Sequence, residues 1–274
     1  MFCPIELAAR IEGAERRLVA SAVATTRQRL PDTFTAEVGG GLVAFSEPDS
    51  PLNKAVGLGF APLDVSAWAA VEAEHTRRGA PLQVELSTLA DPALAHEFTG
   101  RGFRLVNFEN VSGRPLTATK RPQPPAGLEV EVCPPEAIES WLDVVVTGFC
   151  APDTQGIGAH EAYDRERIAR SVRDFAGAAG VTLFLAKRAG EPAGAAAMRI
   201  DDGVAQLCGA ATLPAQRRRG VQSALLAYRL GVAAAAGCDL AVATTQPGSK
   251  SQQNLQRAGF HLLYGRSILV RAPG

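Results

Sequence analysis

The chain has no excess of charge of either sign: 28 lysines and arginines stand against 28 aspartates and glutamates in 274 residues. That balance speaks against general attraction to nucleic acid or to an anionic membrane surface, since both depend on a positive field. Long apolar runs are missing too. No window approaches the roughly 18 uninterrupted apolar residues of a membrane-spanning helix, and the opening MFCPIELAARIEGAERR lacks the charged start and apolar centre of a secretion signal. A soluble, cytoplasmic protein is expected. The five cysteines (Cys3, Cys133, Cys150, Cys208, Cys238) are odd in number, scattered and free of any C-x-x-C pair. They suit a reducing compartment better than a disulfide framework. The four histidines, His75, His96, His160 and His261, are likewise isolated, so no metal site is expected.

The composition that remains, 46% hydrophobic and 20% charged, can bury a sizeable core in one large domain or two of ordinary size. Apolar residues recur at helical spacing from Ile5 to Arg29, with a break or fraying expected near Gly13 and an end at Pro31. Short strands follow at Phe34–Val38 and Leu42–Phe45. The glycines between them read as a hairpin turn and not as a phosphate loop, because no helix follows and the G-x-G-x-x-G spacing is absent. A strand within Ser50–Gly59, a helix at Val65–Arg78, a strand at Leu82–Leu86, a short helix at Pro92–Thr99 and an extended run at Phe103–Leu116 complete the first cycle. Thr117–Gly127, with Pro122, Pro124 and Pro125, reads as a linker because proline lacks the N–H that ladders and helices need.

A second cycle begins with a strand at Leu128–Cys133 and helices at Pro135–Phe149 and His160–Ala176. A hairpin, Val181–Lys187 with Ala193–Ile200, comes next. The stretch Ala205–Ala236, AQLCGAATLPAQRRRGVQSALLAYRLGVAAAA, then reads as strand, basic turn and helix. A helix starting at Val221 leaves its first backbone N–H groups without intrahelical partners, and the macrodipole adds partial positive charge there. Gly220 allows close approach of the backbone, and Arg217, Arg218 and Arg219 can add charge-assisted hydrogen bonds. A pyrophosphate fits this description; the alternative is a solvated basic turn. A strand at Leu240–Ala243, a helix at Ser251–Ala258 and an extended run at Phe260–Val270 close the chain.

The basic turn resembles motif A of the GCN5-related N-acetyltransferase (GNAT) family, Arg/Gln-x-x-Gly-x-Gly/Ala. Arg217 and Gly220 fill the first and fourth positions, and Gln222 stands where a small residue is usual. The resemblance extends from about Leu128 to the C-terminus. It implies an α/β fold with a mixed sheet, and coenzyme A bound as acetyl-CoA or another acyl thioester, with an amine acceptor as the other partner. It further implies backbone contacts to the pantetheine arm from Ala211, Thr212 and Leu213. Pyrophosphate contacts would come from Arg218, Arg219, Gly220, Val221, Gln222 and Ser223. Ser251 and Asn254 either reach the coenzyme from the last helix or serve as capping and solvent-facing residues. Many members protonate the leaving thiolate from a tyrosine four residues before a Gly-Phe pair; here that position is Leu255. Tyr264 is expected to be a packed aromatic, and Cys208 an inert buried thiol. Asp153, His160 and Glu161 border the expected acceptor site without a clear choice of base, so no catalytic residue is assigned.

The two cycles are internally related. Leu82–Phe103 lies without gaps over Asp239–Phe260, with Gly102-Phe103 on Gly259-Phe260. The first half then reads as a degenerate copy, residues 1–121, joined by 122–127 to an acyltransferase domain, 128–274. At the place of the basic turn it has GLGFAPLDVSAW, without an arginine and with Asp64 at the helix start, where a carboxylate competes with phosphate for the same donors. The expected function is N-acyl transfer; the alternatives are a coenzyme-binding sensor without turnover and, against the charge balance, a nucleic-acid module.

Overall fold

The computed structural model describes residues 1–117, 126–157 and 164–273. The chain divides into two compact units that do not follow chain order: Phe2–Val111 with Leu262–Gly274, and Ser112–His261.

The first unit contains α1 (Ile5–Arg29), β1 (Phe34–Val38), β2 (Gly41–Phe45), β3 (Lys54–Val56), α2 (Val65–Arg77), β4 (Leu82–Ser87), α3 (Ala93–Gly100) and the start of β5 (Arg104–Pro115). Helix α1 runs unbroken through Gly13, contrary to the expected break. Its buried stripe (Ala8, Ile11, Leu18, Val19, Ala22, Val23) explains why: side-chain burial along one face outweighs the roughly 1 kcal/mol that an interior glycine costs. Asp64 caps α2, its carboxylate accepting from the N–H groups of Ser66 (2.9 Å) and Ala67 (3.0 Å). The donors that an anion would need are thus already taken. Trp68, Phe98 and Phe103 pack together beneath the sheet.

The second unit contains the end of β5, then β6 (Leu128–Val132), α4 (Ile138–Cys150), α5 (Arg165–Ala176), β7 (Val181–Arg188), β8 (Glu191–Asp201), β9 (Val204–Thr212), α6 (Val221–Ala235), β10 (Leu240–Thr245) and α7 (Lys250–Arg257). Its strands run in the order β10-β9-β8-β7-β6. All these pairs are antiparallel except β9 with β10, which is parallel. Helix α6 buries Val221, Leu225 and Leu230 on one face of this sheet, and α4 buries Trp141 and Val145 among a second cluster. The proline-rich segment read as a linker falls largely on residues 118–125, and His160 and Glu161 fall within 158–163; both stretches lie outside the described residues.

The last strand, β11 (His261–Arg271), pairs antiparallel with β4, from Arg266 opposite Ser87 to Arg271 opposite Leu82. The C-terminal strand of the second sequence cycle therefore completes the sheet of the first unit. It also brings Arg266 beside Glu12 (2.9 Å) and Glu85 (3.3 Å), all three buried. Lys54 reaches Glu85 at 2.9 Å, and Glu109 lies 3.8 Å from Arg266. Tyr264 is buried as expected of a packed aromatic, and its hydroxyl donates to Glu12 at 2.7 Å.

Candidate functional site

Strands β9 and β10 begin as a parallel pair, with Leu240 opposite Val204, Ala241 opposite Ala205 and Val242 opposite Gln206. Pairing stops there although both strands continue. On its other edge β9 carries a bulge: Ala195 to Ala197 of β8 spans Ala211 to Cys208 of β9, one residue more. Gly209, at φ +56°, supplies the left-handed conformation that the bulge requires. The ladder carbonyls around the bulge are met by side chains. Trp141 Nε1 donates to Ala196 at 2.9 Å, and Arg229 Nη1 donates to Ala197 at 2.8 Å and to Cys208 at 3.4 Å.

The separation of β9 from β10 opens a cleft of about 200 Å³, bordered by α6 and α7 and lined among others by Phe149, Cys208, Arg229, Thr245 and Leu255. Cys208 is half-buried on this wall, so the expectation of an enclosed thiol is corrected: the loss of pairing at Gln206 exposes the strand beyond it. Leu255 is a buried core residue at the wall of the cleft. Thr245 is 8% exposed and its Oγ1 has no hydrogen-bond partner among the described residues. A buried hydroxyl left in that state costs about 1–3 kcal/mol, which a polar ligand in the cleft would relieve.

The basic turn leads from β9 into α6. Gly220, the N-cap, sits at φ +79°, and Arg218 shares the left-handed region at φ +61°. The first intrahelical bond runs from Ala224 N–H to the Gly220 carbonyl, 2.9 Å. The N–H groups of Val221, Gln222 and Ser223 therefore have no carbonyl within the helix. The three arginines divide their work. Arg217 turns inward and donates to the Ala151 carbonyl just past α4, whereas Arg218 and Arg219 are exposed at the helix entrance. Val221 contributes its N–H but buries its side chain in the core.

Gln222, Ser251 and Asn254 come together. Asn254 Nδ2 donates to Gln222 Oε1 at 2.5 Å, and Gln222 Nε2 donates to Ser251 Oγ at 3.4 Å. Ser249, not Ser251, caps α7. Along β9, Leu213 has both backbone groups engaged, its N–H with Ala193 (3.1 Å) and its carbonyl with Gln216 N–H (2.8 Å). Strand alternation turns the N–H of Ala211 the same way and leaves Thr212 facing the open edge. Asp153 is exposed, with its carboxylate accepting from Gln155 N–H at 2.9 Å. The loop that carries it docks on the turn before α7, where Ile157 N–H donates to the Pro247 carbonyl at 3.3 Å. Arg229 and Thr245 had no sequence signal, because nothing local distinguishes a buried arginine on a helix or a strand-end threonine from their solvent-facing equivalents.

Residues 150–260, which contain the splayed strands, the basic turn and α7, match the profile of the Acetyltransferase (GNAT) family. That stretch, under half of the chain, is similar to a GNAT domain. Solved structures extend the likeness of fold beyond it. A GCN5-related N-acetyltransferase from Kribbella flavida is 20% identical, with 93% of this chain and 96% of that chain aligned and a TM-score of 0.65. A tandem GNAT protein from the clavulanic acid biosynthesis pathway is 14% identical over 92% of this chain and 88% of its own, with a TM-score of 0.62. A GCN5-related N-acetyltransferase from Sphaerobacter thermophilus follows at 16% identity, 80% and 72% coverage and a TM-score of 0.57. At these identities the likeness establishes the fold. No curated protein matches the sequence. Among the described residues no group of side chains could hold a metal ion, and no helix is long and apolar enough to cross a membrane.

Proposed function

We propose that the second unit transfers an acetyl or other short acyl group from acyl-coenzyme A to an amine. The observation that carries this reading is the helix entrance at Gly220, where three N–H groups without intrahelical partners and two exposed arginines open beside the cleft at which β9 and β10 part. Coenzyme A supplies an activated thioester on a long arm that ends in a pyrophosphate. The pyrophosphate would be held by the Val221, Gln222 and Ser223 N–H groups together with Arg218 and Arg219. The arm would lie against the open edge of β9 as an added strand, with the backbone of Thr212 facing it. Gln222, Ser251 and Asn254 form a polar rim opposite, and Thr245 Oγ1 offers a hydrogen bond inside. The first unit, with α2 already capped by Asp64, is assigned no coenzyme.

A second reading, a coenzyme-binding sensor without turnover, is favoured by the apolar Leu255 at the usual acid position and by the engagement of Tyr264 with Glu12. Calorimetry with coenzyme A should return one site per chain, and release of coenzyme A from acetyl-CoA with a panel of amines should be measurable. Two equivalent sites, or none, would overturn the binding assignment. Binding without turnover on any amine would select the sensor.

A further inference from the structure

We propose that Arg229 receives the coenzyme sulfur as a thiolate when the acyl group leaves, so that the cleft works without a proton donor at Leu255. This rests on the coenzyme reading above. Arg229 sits on α6, is 3% exposed and lines the cleft. Its hydrogen bonds go to carbonyls of Leu225, Ala197 and Cys208, and no carboxylate pairs with it among the described residues. A guanidinium buried without a counter-ion is costly, and an anion placed near it in a region of low dielectric is held strongly. Desolvation draws Arg229 down to about 10, which still leaves it charged at neutral pH. None of the described residues lining the cleft is a carboxylate. Phe149 faces the cleft from α4, Thr245 from β10, Ser251 and Leu255 from α7, and on β9 the Cys208 thiol is the one other titratable group among the lining residues described.

In the transfer, an amine nitrogen bonds to the acyl carbon, the carbon–sulfur bond breaks with its electron pair on sulfur, and the amine proton passes to water. Arg229 balances the sulfur charge until the thiolate takes a proton from water on release, giving amide and free coenzyme A. A purely structural role, in which Arg229 only ties down the carbonyls beside the bulge, would leave the sulfur unaffected.

The test reads the sulfur directly. Coenzyme A bound to the full chain is titrated by its ultraviolet thiolate absorbance, as a difference from the complex with desulfo-coenzyme A, so that the protein's own thiols cancel. In the native protein the bound thiol should ionise at least about one pKa unit below that of free coenzyme A titrated alongside it, which corresponds to about tenfold more thiolate at neutral pH. Arg229→Lys, which keeps the charge, should retain most of the shift. Arg229→Gln, which keeps a donor for the carbonyls and removes the charge, should lose it. A native complex whose thiol ionises at or above the free value overturns the proposal without recourse to any variant, and so does a shift that persists in Arg229→Gln. Failure of coenzyme A to bind at all would instead remove the coenzyme reading itself.

Discussion

Replacing Glu109 by glutamine should remove a dependence of the first unit's stability on pH. Glu109 lies on β5, 3.8 Å from Arg266, with 30% of its side chain exposed. Desolvation and the neighbouring Glu85 carboxylate raise its pKa from 4.5 to about 7. The folded unit therefore binds a proton more readily than the unfolded chain, so its stabilising effect is complete below about pH 4.5 and is lost as the pH rises through about 7. A shift of that size corresponds to about 3 kcal/mol at about 1.4 kcal/mol per unit; screening at a partly exposed site reduces the expectation to about 2 kcal/mol. Relative to the native chain, Glu109→Gln should then gain about 2 kcal/mol between pH 5 and 8, roughly the range over which the carboxyl ionises. The comparison must be a difference. Burial lowers His75 to about 4, which gives a contribution of opposite sign that is lost as the pH falls from 6.5 through about 4. Urea denaturation can be followed by Trp68, buried in the first unit, in a Trp141→Phe background that silences the other tryptophan. A difference between native and Glu109→Gln that stays constant across this range, or one that grows in favour of the native chain, would refute the reasoning.

Three further outcomes are expected. Gly220→Val, a β-branched residue at φ +79°, costs roughly 1–2 kcal/mol in backbone strain and should weaken coenzyme A binding at least about tenfold by calorimetry; unchanged affinity would place the anion elsewhere. Gly209→Val has room for its Cβ, 3.4 Å from that of Ala197, but not for the φ of +56°. It should cost about 1–3 kcal/mol in thermal or chemical denaturation and weaken coenzyme binding by disturbing the bulge. Tyr264→Phe removes the hydrogen bond to Glu12 and should destabilise by about 1–3 kcal/mol, while kcat/KM from about pH 6 to 10 keeps its shape. A basic limb present in the native profile and absent in Tyr264→Phe would make Tyr264 the acid.

Sequence alone was sufficient wherever the information is local. The helix start at Val221 follows from Pro214, Gly220 and the apolar spacing beyond them, and the capped entrance of α2 follows from Asp64, because caps and periodicity are decided within a few residues. The basic turn and its likeness to motif A were legible for the same reason. Contacts between distant positions were not. Glu12 and Tyr264, 252 residues apart, meet because β11 enters the sheet of the first unit. Nothing in the apolar alternation of His261–Arg271 says which sheet edge it will join, since any open edge offers the same backbone donors and acceptors. The inward turn of Arg217, the carbonyl-bound guanidinium of Arg229 and the unpartnered hydroxyl of Thr245 belong to the same class. Each side chain has the composition of a surface residue. Its burial was decided by the packing of α4, α6 and the bulged β9 around it, which only the tertiary structure brings together.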